Sequence, residues 1–164
     1  MLPKLFQELL KEWHLQLERP LPWVNEKDPY KIWISEIILQ QTRVLQGLPY
    51  YNKFLDTFPD VFVLAEASEA DVLKCWEGLG YYSRARNLHW SARYIVNELN
   101  GVFPERYEEI IKLKGIGPYA AAAIASFAFS LPCAVLDGNV HRVISRIFSV
   151  TADITTSRGR KMIQ

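Results

Sequence analysis

Two carboxylates in this chain stand in settings that could do chemistry. Glu36 lies inside Ile32-Trp33-Ile34-Ser35-Glu36-Ile37-Ile38-Leu39, where six of the eight residues are apolar. A carboxyl flanked in this way loses hydration, which raises its pKa toward the range of a general acid. Asp137 stands at the start of a predicted helix, followed by Gly138 and Asn139. Upstream of it a tight turn, Gly115-Ile116-Gly117, opens directly into another helix at Pro118. Glycine admits positive φ and exposes backbone N–H groups. A helix beginning there adds unpaired N–H groups and the positive end of its dipole. Such a turn can hold one phosphate of a nucleic-acid backbone without a charged side chain.

Each of these patterns also has a bland reading. A Gly-X-Gly turn serves equally as a plain connection between helices, and short glycine motifs recur by chance. Glu36 could be the solvent side of an amphipathic helix. A third stretch, Gly78-Leu79-Gly80-Tyr81-Tyr82-Ser83-Arg84-Ala85-Arg86-Asn87, sets two aromatics in a glycine turn before two arginines. That combination suits base stacking with phosphate contact. A core-facing tyrosine pair with solvated arginines would read the same.

Helical signals surround all three stretches. Leu5, Leu9, Trp13 and Leu17 recur at four-residue spacing, predicting an amphipathic helix over 3–19 that Pro20 and Pro22 end. Asp28-Pro29 reads as an N-cap with proline at the first helical position, opening a helix to about Val44. On that helix Glu36, Gln40 and Arg43 would share one face. Further helices are expected from Leu48 to Phe58, from the capping box Ser68-Glu69-Ala70-Asp71 to Glu77, and from Ser83 to Gly101. A short helix over 104–113 leads into the glycine turn. The four alanines 120–123 favour a closely packed helix, another spans Asn139–Phe148, and one begins within 155–164. No alternating strand pattern, internal repeat or low-complexity segment is visible. The fold class is all-α.

Composition narrows the setting. The chain has 164 residues, 49% of them hydrophobic and 23% charged, enough for a packed core. Net charge is +1, so a surface for nucleic acid must be local. The two cysteines, Cys75 and Cys133, have no metal-ligand spacing and read as reduced thiols in an intracellular protein. No apolar run is long enough to span a membrane.

The stretches together resemble the helix-hairpin-helix DNA glycosylase superfamily. Within it they are most similar to the MutY branch, the adenine DNA glycosylases. The resemblance rests on Ser35-Glu36 with Leu39-Gln40-Gln41-Thr42, on Gly78–Asn87, on the hairpin Leu113–Ala120, and on Val135-Leu136-Asp137-Gly138-Asn139-Val140. It implies a six-helix domain containing the hairpin over 21–131, with 1–20 and 132–164 forming part of a second helical lobe. It implies excision of adenine mispaired with 8-oxoguanine or guanine in duplex DNA, by a monomer associated with DNA inside the cell. Glu36 would protonate the leaving base and Asp137 would stabilise the cationic sugar, the two-carboxylate logic of glycoside hydrolysis. Tyr119 and Asn139 would line the catalytic site after the adenine is extruded. Tyr81 would wedge beside the opposite base, with Gln41 filling the gap. Gln40, Thr42, Tyr82, Arg84, Arg86, Leu113, Gly115 and Gly117 would complete the DNA-binding set, with Tyr119.

The chain departs from the family at three points. Val24 stands where the family usually has arginine. The four cysteines of the family's [4Fe-4S] cluster are absent, so no cofactor or metal site is expected here and the cluster's ligands would lie beyond Gln164. The family's C-terminal domain for 8-oxoguanine is also missing, which suggests a fragment, one that as an inactive piece would only bind DNA. Relatives acting on thymine or uracil mispairs share the hairpin and the aspartate, but Gln40-Gln41 and Tyr81-Tyr82 favour adenine. A lyase would need lysine where Tyr119 stands, while Lys112 and Lys114 are expected to face phosphate. A monofunctional glycosylase follows.

Overall fold

The computed structural model describes residues 2–17, 20–153, 156 and 159. Among them every regular element is a helix: α1 (Leu2–Gln16), α2 (Pro29–Ile38), α3 (Val44–Thr57), α4 (Val61–Glu66), α5 (Glu69–Cys75), α6 (Ser83–Glu98), the single turn α7 (Tyr107–Ile110), α8 (Pro118–Phe129) and α9 (Gly138–Ile147). The helix expected within 155–164 falls largely outside the described residues. No described helix is long and apolar enough to cross a membrane.

α2 is the axis of the core. Asp28 caps it by accepting the Tyr30 N–H at 2.9 Å, with Pro29 at the first helical position. Ile32, Trp33, Ile34, Ile37 and Ile38 are all buried, so the helix is enclosed on most sides. It packs on α3, α6 and, most extensively, α8. The α8 face toward the core is Ala120, Ala121, Ala123, Ile124 and Ala125. Small side chains let two helix backbones approach closely; Gln40, just past the end of α2, reaches Gly115 just before α8, and Ser35 and Glu36 share a cavity with Ser126 and Phe127. α4 and α5 pack on α6, and α7 packs on α8. The buried hydrophobic residues all fall between Tyr30 and Ala125.

Several expected boundaries move. α2 stops at Ile38 rather than Val44, and residues 39–41 form a turn in which Gln41 is left-handed (φ 57°). Glu36, Gln40 and Arg43 therefore do not form one helical stripe; Arg43 instead precedes α3 as its N-cap residue. α3 starts four residues early, at Val44, and carries Pro49 inside it. α4 is an element the sequence pattern did not suggest; Asp60 caps it by accepting from Phe62 and Val63 N–H, both at 2.9 Å. Tyr82, without a side-chain cap bond, precedes α6 where Ser83 was expected to cap. The box at Ser68 forms as read: Ser68 Oγ accepts the Asp71 N–H at 3.1 Å.

α1 and α9 differ from the rest. Leu5, Leu9, Leu10 and Trp13 of α1 are exposed, as is Val143 of α9, and α9 has no buried residue.

Candidate active site

Glu36 sits half-buried on α2, and no hydrogen bond or ion pair to another described residue holds its carboxyl. It borders a cavity of 360 Å³ lined by Trp23, Val24, Lys27, Ile32, Ser35 and Phe127, among others. Loss of hydration there pushes its pKa up to about 7. A carboxylic acid that stays protonated near neutral pH without a partner is equipped to donate a proton.

Asp137 stands on another element, at the start of α9. As N-cap of α9 it accepts the Val140 N–H at 2.7 Å, while Asn139 Nδ2 donates to its other oxygen at 3.0 Å. These two bonds fix the carboxylate's orientation. Tyr119, in the first turn of α8, links the two acids: burial pushes its phenol up to about 12, with the charges of Glu36 and Asp137 adding to the rise. Glu36, Tyr119 and Asp137 thus come from α2, α8 and the start of α9, with Tyr119 sensing the charge of both carboxylates.

The loop before α2 is the part of this site that sequence reasoning reached only at Val24. Asn25 is left-handed (φ 65°), and Glu26 accepts from the Lys27 and Asp28 N–H groups at 2.8 and 3.0 Å. Those bonds and nearby Lys31 hold the Glu26 carboxyl below its usual range despite some loss of hydration. Lys27 Nζ donates to the Phe127 carbonyl at 2.9 Å, tying the loop across the cavity to the end of α8. The signal was present in Asn25-Glu26-Lys27-Asp28, an Asx-type turn chemistry, but its partner on α8 is remote in sequence.

The hairpin is built as its glycines require. Gly115 is left-handed (φ 82°), and a Cβ there would lie 2.9 Å from Asn87 Cβ on α6. Gly117 precedes α8 with no side-chain cap, and nothing lies within 4 Å of where its Cβ would be. The first turn of α8 thus presents N–H groups beside open space. Leu113 does not take part through its side chain: it is buried in the core and anchors the turn from below, which corrects its expected place in a DNA-binding set. Gln40 Nε2 donates to the Gly115 carbonyl at 3.4 Å, so this residue also supports the hairpin. Lys114 holds its ammonium 4.0 Å from the centre of the Trp90 ring.

Tyr81 is 67% exposed and left-handed (φ 46°); Tyr82 is less exposed, and Gln41 lies exposed at the tip of its own turn. Thr42 is half-buried. Arg86 is exposed and ion-paired to Glu69 at 3.1 Å. Arg84 is placed differently from expectation. It is buried, and its guanidinium donates to the backbone carbonyls of Ile37, Ile38, Gln40, Leu79 and Gly80, so it is not available to a phosphate.

This arrangement coincides with a known family over residues 34–163, the HhH-GPD superfamily of base excision DNA repair proteins. The chain belongs to that superfamily. It is 47% identical over 145 residues to an adenine DNA glycosylase of Buchnera aphidicola subsp. Baizongia pistaciae, covering 88% of this chain and 41% of the relative. It is 41% identical over 161 residues to the adenine DNA glycosylase of Mus musculus, covering 93% of this chain and 31% of that protein. Among solved structures, a thermostable thymine-DNA glycosylase superposes with a TM-score of 0.85 at 25% identity, covering 99% of this chain and 76% of the other. The chain spans less than half the length of these two curated relatives.

Proposed function

We propose that the protein is a monofunctional adenine DNA glycosylase that hydrolyses the N-glycosidic bond of adenine mispaired with 8-oxoguanine or guanine. The observation that carries this reading is Glu36, half-buried on the wall of a cavity with no partner among the described residues, together with Asp137 held as the N-cap of α9. Departure of adenine leaves electrons on the base and positive charge on the sugar. Glu36 donates its proton to the base, and Asp137, held by Val140 and Asn139, faces the developing oxocarbenium ion. Water then completes an intact abasic site. The base reaches this pair by extrusion from the duplex, with the open first turn of α8 holding a phosphate. Exposed Tyr81 and Gln41 enter the duplex at the mispair. Val24 places an apolar contact in the cavity beside Glu36.

The domain division is part of the same proposal: 21–131 as the six-helix unit with the hairpin, and α1 with 132–164 as part of a second lobe. Cys75 and Cys133 cannot supply the four thiolates of a [4Fe-4S] cluster, and among the described residues no group of His, Cys, Asp and Glu could hold a metal. A cluster in the protein would take its ligands from outside these residues, and no step here passes through one.

Similarity to a thymine-DNA glycosylase makes the substrate the point to test. Single-turnover excision on otherwise identical duplexes should release adenine opposite 8-oxoguanine and opposite guanine. Faster release of thymine or uracil opposite guanine would replace this proposal with a pyrimidine-mismatch enzyme.

A further inference from the structure

Arg84 is 8% exposed, and no carboxylate pairs with it among the described residues. Its Nε is buried without a hydrogen-bond partner among the described residues, so the two terminal nitrogens make all of its hydrogen bonds. Nη1 donates to the carbonyls of Ile37 at 3.1 Å, Ile38 at 3.0 Å and Gln40, and to Thr42 Oγ1 at 3.4 Å. Nη2 donates to the carbonyls of Leu79 at 3.2 Å and Gly80 at 3.3 Å. Two of these bonds share a property. The Gln40 carbonyl belongs to the peptide preceding Gln41, and the Gly80 carbonyl to the peptide preceding Tyr81. Gln41 and Tyr81 are both non-glycine residues in the left-handed region, where side chains are rarely found unless the surroundings impose it. Fixing a peptide's carbonyl fixes the plane from which the next residue's φ departs. The guanidinium also lies 5.8 Å from the centre of the Tyr81 ring.

We infer that Arg84 is a positioning residue that sets Gln41 and Tyr81 in place as one unit for reading a mispair, by clamping the peptide ahead of each. This rests on the proposed entry of these two residues into the duplex. A planar fork presents separate nitrogens to the two loops in a fixed geometry, whereas the three donors of lysine diverge from a single nitrogen on a flexible stem.

The test is equilibrium binding by the intact protein, at several salt concentrations, to a duplex with adenine opposite 8-oxoguanine and to its fully matched counterpart. Arg84→Lys and Arg84→Gln are each made alone and in a Gln41→Ala/Tyr81→Ala background, with cooperative unfolding checked throughout. Arg84→Lys should lower the mispair-to-matched affinity ratio about tenfold, leave the matched duplex within about twofold, and keep the salt dependence unchanged. In the double-alanine background it should lower the ratio no further. An equal fall in both backgrounds, or on both duplexes, would make Arg84 merely structural and overturn the inference. A salt slope reduced by about one would make it a phosphate contact instead. If the double-alanine protein alone keeps the full ratio, the entry of Gln41 and Tyr81 into the duplex fails first, and the clamp with it. Loss of cooperative folding in both Arg84 variants would also overturn the positioning role.

Discussion

Glu36 is a carboxyl whose environment works against its charge, and that has a consequence for folding apart from catalysis. Burial raises its pKa from 4.5 to about 7, so between those values the folded chain keeps a proton that the unfolded chain has released. The stability associated with the protonated form is complete below about pH 4.5 and is lost as pH rises through 7. Glu36→Gln removes the ionisation. It should therefore stabilise the protein at pH 8 by about 2 kcal/mol, after allowance for partial exposure, and by much less at pH 5. Thermal unfolding of both proteins at the two pH values measures this; a gap that does not change with pH would contradict the burial of a neutral acid. This residue was legible in the sequence because its apolar neighbours Trp33, Ile34, Ile37 and Ile38 are contiguous with it. Asp137 was legible as an N-cap before glycine. Arg84 was not: nothing in Tyr82-Ser83-Arg84 distinguishes a phosphate-binding arginine from one buried against carbonyls donated by α2 and by the turn at 79–80.

At the scale of elements the hairpin offers a contrast within one motif. Gly115 needs its positive φ and its close approach to Asn87, whereas Gly117 has ordinary backbone and empty space around it. Gly115→Ala should cost about 1–3 kcal/mol of stability and weaken DNA binding with it. Gly117→Ala should change stability by less than about 0.5 kcal/mol, yet weaken duplex binding about tenfold, because the new methyl stands where a phosphate would approach. Paired unfolding and binding measurements decide it; a Gly117→Ala protein that binds as well as wild type would place the phosphate elsewhere. The elements themselves were largely readable from caps and spacing, as at Asp28, Ser68 and Pro118. The end of α2 was not. Leu39-Gln40-Gln41-Thr42 contains no glycine or proline, and the helix stops there with its last carbonyls taken by Arg84 from α6. α4 was missed because Val61–Glu66 is too short to show a period.

At the scale of the whole molecule, α2, α8 and the start of α9 supply Glu36, Tyr119 and Asp137, and Lys27, the lysine on the cavity wall beside Glu36, is committed to the Phe127 carbonyl. In the proposed reading Tyr119 stands where a lyase would need its amine, and Lys114 is held over Trp90. Borohydride present during the reaction should trap no covalent protein–DNA adduct, since a phenol forms no Schiff base. Efficient trapping abolished by Lys114→Ala would show a lyase instead. The exposed apolar faces of α1 and α9 lie outside the core that carries this chemistry. The proposed chemistry turns on Glu36, neutral because it is buried, protonating the departing adenine. The most direct measurement is the pH dependence of single-turnover adenine release from a duplex with adenine opposite 8-oxoguanine, at saturating protein, for the intact protein and its Glu36→Gln variant. The rate should be level below about pH 7 and fall about tenfold per pH unit above it, with Glu36→Gln binding the duplex but releasing no adenine. A Glu36→Gln protein that releases adenine at the wild-type rate, with the same pH profile, would contradict it.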